Sequence, residues 1–94
     1  MSIKPVTQEI LGKRITGVIV KRGIELWTRP VCQFFLLFDD ETYFELYSSE
    51  GLINTGGSLP EGDFAFVQRY GAEAHHVIFE VKGPGEGHGL FGPF

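Results

Sequence analysis

The clearest pattern in the chain is a pair of apolar runs around an acidic knot. Val31 to Phe38 contains FFLLF, Tyr43 to Tyr47 reads YFELY, and Asp39-Asp40-Glu41-Thr42 lies between them. Short aromatic and aliphatic runs separated by turn residues predict two paired strands. The join has no Asn-Gly or Asp-Gly, so a four-residue loop is expected rather than a two-residue primed turn. Such a loop pairs Phe38 with Tyr43, Leu37 with Phe44 and Phe35 with Leu46. One face of the hairpin then carries Phe35, Leu37, Phe44 and Leu46. The other carries Phe34, Leu36, Phe38, Tyr43 and Tyr47, with Glu45 as its main polar member. An antiparallel hairpin with one wet side alternates apolar and polar residues. This one is apolar on both sides, so its second face needs a cover: a helix, the tail or a partner subunit.

The remaining pattern supplies neighbours for that hairpin. Lys4 to Gly12 forms a short helix, with Pro5 suited to the first turn and Gly12 to the stop. Val6 and Ile10 share a face of it. KRITGVIVKR, Lys13 to Arg22, is a β-branched strand between Gly12 and Gly23. Gly17 within it marks a bulge or the close approach of another backbone. Ile24 to Trp27 alternates and extends the sheet, until Arg29-Pro30 breaks the pattern. Ser48 to Leu59 reads as a loop around Gly51 and Gly56-Gly57. Pro60 to Tyr70 reads as a strand, with Phe64, Phe66 and Gln68 alternating. Its competing reading is a helix opened by the capping box Ser58-Leu59-Pro60-Glu61 and closed by Gly71. Ala74 to Lys82 is a strand with His75, Val77, Phe79 and Val81 on one face.

Gly83 to Phe94 is rich in Gly and Pro and cannot be regular throughout. It is either disordered or, as Leu90, Phe91 and Phe94 at its end favour, docked on the body or on a neighbour as an apolar anchor. These elements predict one domain over 1–94, with 83–94 as a tail. The fold class is α+β and β-rich. A short N-terminal helix joins a curled antiparallel sheet of four to six strands, a partial barrel.

Composition sharpens this in three ways. The 94 residues are a one-domain length, and nine of them are phenylalanines, which need a core or an interface. The single Cys32 forms no intrachain disulfide, which suits a reducing cytoplasm, and beside the apolar run it reads as a small buried hydrophobe. MSIKPVTQ lacks the apolar stretch of a signal peptide and no 18-residue apolar run occurs, so a cytoplasmic protein with no membrane partner is expected. The net charge of -4 is uneven, with the basic residues concentrated before Val31 and the acids after it. A basic first strand lying near an acidic hairpin, in the same fold or a neighbouring subunit, is the favoured account of that split, and an anion-binding patch on the N-terminal third is the alternative.

Candidate chemistry is sparse. Neighbours on a strand point to opposite faces, so His75 and His76 cannot readily share a metal. Asp39, Asp40 and Glu41 lack the spacing of a calcium loop. Gly56-Gly57 lacks the lysine of a phosphate loop, and no Gly-x-Ser-x-Gly, Cys-x-x-Cys or His-Glu-x-x-His occurs. No catalytic residue, cofactor or metal is therefore assigned.

LGKRITGVIVKRG after a short helix resembles the opening of Sm-like and other small SH3-like barrels. The acidic balance argues against nucleic acid. The blocks GKRITGVIV and FFLLFDDETYFELY, with no catalytic motif around them, resemble in overall character the orphan proteins of bacterial integron gene cassettes. That resemblance implies a small bacterial, cytoplasmic and oligomeric protein.

The expected function is a non-enzymatic homo-oligomeric binding module, with a dimer favoured. Its interface would use Phe34, Leu36, Phe38, Tyr43, Tyr47, Phe91 and Phe94. Two alternatives remain. One is an acidic inhibitor or immunity-type protein masking a basic partner with Asp39, Asp40, Glu41, Glu45 and Glu50. The other is a small enzyme or ligand carrier with a pocket near His75.

Overall fold

The computed structural model describes residues 6–25, 27–49, 52–83 and 86–89. In chain order the elements are α1 (Val6–Glu9), β1 (Ile15–Gly23), β2 (Cys32–Phe38), β3 (Tyr43–Ser49), β4 (Leu52–Thr55), α2 (Phe64–Arg69), β5 (His75–Lys82) and β6 (Glu86–Gly89). The strands make one antiparallel sheet of order β4-β3-β2-β1-β5-β6, which does not close. The fold is α+β and β-rich, as the pattern of the chain predicts.

The hairpin forms where expected but in a different register. Leu37 pairs with Tyr43, Leu36 with Phe44, Phe35 with Glu45 and Phe34 with Leu46. The loop is one residue shorter than the four expected. The Phe38 and Thr42 backbones bond across it, the Glu41 N–H reaches the Phe38 carbonyl, and Glu41 takes φ 63°. This is a turn followed by a left-handed residue, the three-residue hairpin geometry. A shift of one residue moves a whole strand to the opposite face. Tyr43 and Tyr47 therefore leave the face of Phe34, Leu36 and Phe38, and Phe44 and Leu46 join it.

Each face of the sheet has its own cluster. On the first face, Ile19, Phe35, Leu37 and Tyr43 pack with Val67 of α2, flanked by Phe64 and Val77. Burying each such side chain stabilises by about 1.5–3 kcal/mol. On the second face, Val6 of α1 packs with Phe38 and Phe44, flanked by Ile10, Leu36, Leu46 and Leu59.

Several expectations need correction. Residues 64–69 are helix, not strand, and the cap is Asp63, whose side chain accepts from the Phe66 N–H at 2.9 Å. A strand, β4, lies inside the segment read as a loop. Ile24 and Trp27 lie in a loop that reaches the cis Arg29–Pro30 peptide, not in a longer β1. In β5, Lys21 faces Val77 while Val20 faces Phe79, so Ile78 is an extra residue. That bulge breaks the alternation, and His75 and Val77 face away from Phe79 and Val81. Part of the Gly/Pro-rich tail is a strand, β6, while Leu90, Phe91 and Phe94 lie outside the described residues.

Gly17 meets both expectations made of it. The ladder shifts between Ile15 and Gly17. A Cβ there would lie 2.9 Å from Phe64 Cδ2 and 3.3 Å from the Val81 carbonyl oxygen. Gly17→Ala should therefore push α2 off the sheet. A loss of about 1–3 kcal/mol is expected in urea unfolding. An unchanged midpoint would show that Phe64 does not rest on Gly17.

Candidate functional site

The candidate interface residues do not form one surface. Phe38 and Tyr43 are buried on opposite faces, Tyr47 lies on the α2 side, and Leu36 belongs to the α1 cluster. Phe34 is exposed, at 38%. Two strands away on the same face, Ile53 is 51% exposed. Between them runs a groove of about 280 Å³ bordered by Val20, Cys32, Phe34, Leu46 and Ile53, with Ser48 at its end. α1 packs on the hairpin end of this face, and the groove occupies the other end. Cys32, expected to be buried, is an exposed free thiol at its rim. Its alternation with Gln33 puts it on this side, where no helix packs over it.

The acidic candidates gather at the opposite end of the sheet. Asp39, Glu41 and Asp63 line a cleft of about 360 Å³ together with Phe64 and Lys82. Asp40, Glu41, Glu61 and Asp63 line a neighbouring one of about 350 Å³. Asp40 is paired with Lys13, which joins the basic start of β1 to the hairpin turn. The Lys13 bond, and then the Thr42 hydroxyl, hold the Asp40 carboxyl down at about 2. Among the described residues, no group of three or more His, Cys, Asp or Glu side chains is placed to hold a metal ion. Glu45 is not part of the acidic corner. It faces α2 and accepts from Gln33 Nε2 at 2.9 Å.

His75 does not join the acids. It pairs with Gly23 at one end of β1, while Lys82 pairs with Gly17 at the other, a separation of roughly 20 Å along the strand. The ring is buried, and its Nε2–H donates to the Pro30 carbonyl at 2.7 Å. This is a packed, hydrogen-bonded histidine.

The residue that sequence reasoning missed is Lys21. In the sequence it counts only as one of the basic residues of the first strand, yet it is 0% exposed. Its Nζ donates to the carbonyl of Tyr70, the C-cap of α2, and lies 5.5 Å from the Phe35 ring centroid and 5.9 Å from that of Tyr70. A cation at a helix C-terminus is favourable, and so is one over aromatic faces. Burial lowers the Lys21 pKa from 10.5, and the Glu45 charge opposes that fall. Burial likewise raises the Tyr43 pKa from 10.0.

No family model, curated protein sequence or solved structure matches this chain. The site is therefore read from its own geometry.

Two titrations test the charges. Asp40 should titrate near 2 by carboxyl NMR, and in Lys13→Met its midpoint should rise toward 3.8. The stability linked to Asp40 is present above 3.8 and is lost as pH falls toward 2. An Asp40 midpoint indifferent to Lys13 would remove the pair.

Lys21 works in the alkaline range. Between its lowered pKa and 10.5 the unfolded chain binds the extra proton, so Lys21 makes the fold more stable as pH rises. Tyr43 opposes this above 10.0, because the folded protein keeps the phenol proton longer. The stability of Lys21→Met relative to the parent should fall steadily as pH is raised from neutral toward 10.5 in urea unfolding. A pH-independent difference would show that burial leaves the lysine unaffected.

Proposed function

We propose that this chain is a non-enzymatic interaction module that self-associates through the groove end of its second face. The supporting observation is the groove itself. It is continuous and lined by Val20, Phe34, Leu46 and Ile53, where a sheet face would ordinarily be packed. Phe34 and Ile53, which border the groove, are solvent-facing. Burying them against an identical surface removes apolar area from water without placing a charge in the contact. The cassette-borne likeness of the sequence points the same way, to a small oligomeric protein in the cytoplasm.

The competing surfaces have less to offer. In the acidic corner, Asp40 is already committed to Lys13 and Thr42, and exposed acid pairs contribute little. His75 already has the Pro30 carbonyl as a partner and stands far from the carboxylates. Neither arrangement supplies an acid–base pair for catalysis.

Light scattering across a concentration series tests the proposal. The chain is expected to shift from monomer toward dimer as concentration rises into the tens of micromolar, in keeping with a small contact of this kind. Ile53→Glu places a charge in the groove and should hold the chain monomeric without unfolding it, since Ile53 is exposed. A mass that stays monomeric throughout for the unmodified chain rejects the proposal.

A further inference from the structure

β4 ends the sheet on one side, and apart from its shortness its edge at Leu52 and Ile53 lacks the usual guards. Its residues Leu52, Ile53, Asn54 and Thr55 include no charge and no proline, and its ladder with β3 runs without a bulge. Charged side chains, prolines and bulges are what ordinarily keep such edges from pairing. Leu52 and Ile53 are also half exposed, at 50% and 51%.

The direction of the backbone groups can be read from the ladder. The Gly56 N–H donates to the Glu45 carbonyl at 3.1 Å, and the register pairs Leu46 with Thr55. Glu45 and Gly56 are thus a hydrogen-bonded pair. Such pairs alternate with non-bonded ones along an antiparallel ladder. Asn54 therefore directs its N–H and C=O toward Tyr47 of β3. Ile53, opposite Ser48, directs both of its groups away from the sheet.

We infer that β4 pairs with β4 of a second copy, antiparallel, about a two-fold axis perpendicular to the sheet and centred on Ile53. The inference rests on the self-association proposed above but places the contact at the strand edge, with the two grooves side by side instead of face to face. Symmetry selects the register. A strand paired with itself about that axis must set same-face residues opposite each other, so the axis passes through a residue and not between two. With the axis at Ile53, the outward N–H and C=O of each copy bond to those of the other. Leu52 stands opposite Asn54 of the partner subunit. Both copies then show the same face, and the two grooves, each bordered by Ile53, meet in one apolar trough. A second copy is favoured over an unrelated strand because one residue supplies donor, acceptor and apolar side chain to itself. Four residues span only ~13 Å, so the dimer is weak and exchanges readily.

Amide hydrogen exchange by NMR at low and high protein concentration tests this pairing. The Ile53 amide should exchange freely when dilute and slow at least tenfold when concentrated. The Asn54 amide should be protected in both. Ile53→Pro removes the outward donor and no bond to β3, so it should yield a folded monomer. Phe34→Glu charges the surface that a face-to-face contact would bury but does not reach the strand edge, so the dimer should persist if the edge is the contact and should be lost if the groove faces are. A dimer that Phe34→Glu abolishes, with an Ile53 amide indifferent to concentration, overturns the edge pairing and leaves face-to-face association standing. A chain monomeric at every concentration overturns both. Should Ile53→Pro fail to fold, the exchange data on the unmodified chain decide.

Discussion

A single left-handed residue, Glu41, settles which side chains of the central hairpin share a face. Its φ of 63° closes a three-residue loop, and that odd count fixes the register of β3 on β2. The conformation costs about 1–2 kcal/mol in a residue with a Cβ. What it secures is larger. In the observed register Phe44 and Leu46 meet the α1 cluster and Tyr43 meets α2. The alternative register would put Glu45 under α1 and the tyrosine hydroxyls against Phe38. Several buried side chains at about 1.5–3 kcal/mol each outweigh one strained residue.

The geometry of the two helices then explains why a groove is left. α2 has six residues and α1 has four, lengths of about 9 Å and 6 Å. Six strands span about 24 Å from edge to edge. Neither helix can roof such a sheet. α2 lies over its centre, where Gly17 lets Phe64 settle against the backbone. α1 sits to one side, over Phe38 and Phe44. The far end of the second face is thus bare as a matter of length, and the apolar character of β2 on both sides makes that bareness consequential.

Much of this architecture was legible in the residues. The hairpin strands, β1, β5 and α1 follow from runs, glycines and β-branched content. What was not legible depended on a few local choices. α2 was masked by its aromatic content, and its signal was Asp63, three residues before Phe66, not the Ser58 box. β4 is four residues among Gly and Ser, too short for periodicity to announce it. The faces of β5 were misassigned because the bulge at Ile78 is set by pairing with β1, which a lone strand does not reveal. The candidate surface suffered most. It was built from a face assignment, and one residue of register divided it, keeping Phe34 and removing Tyr43 and Tyr47. Lys21 carries no local sign of burial, because what covers it lies 49 positions along the chain.

That lysine also constrains motion. Its buried ammonium donates to the carbonyl of Tyr70 at the end of α2, with the Glu45 charge nearby. Sliding the helix by a turn along the sheet would take the Tyr70 carbonyl away from the buried cation, at a cost above that of shearing one greasy surface over another. The aromatic layer alone would tolerate several docking positions. The lysine acts as a detent, so the upper layer sits in one notch and moves, if it moves, by lifting off.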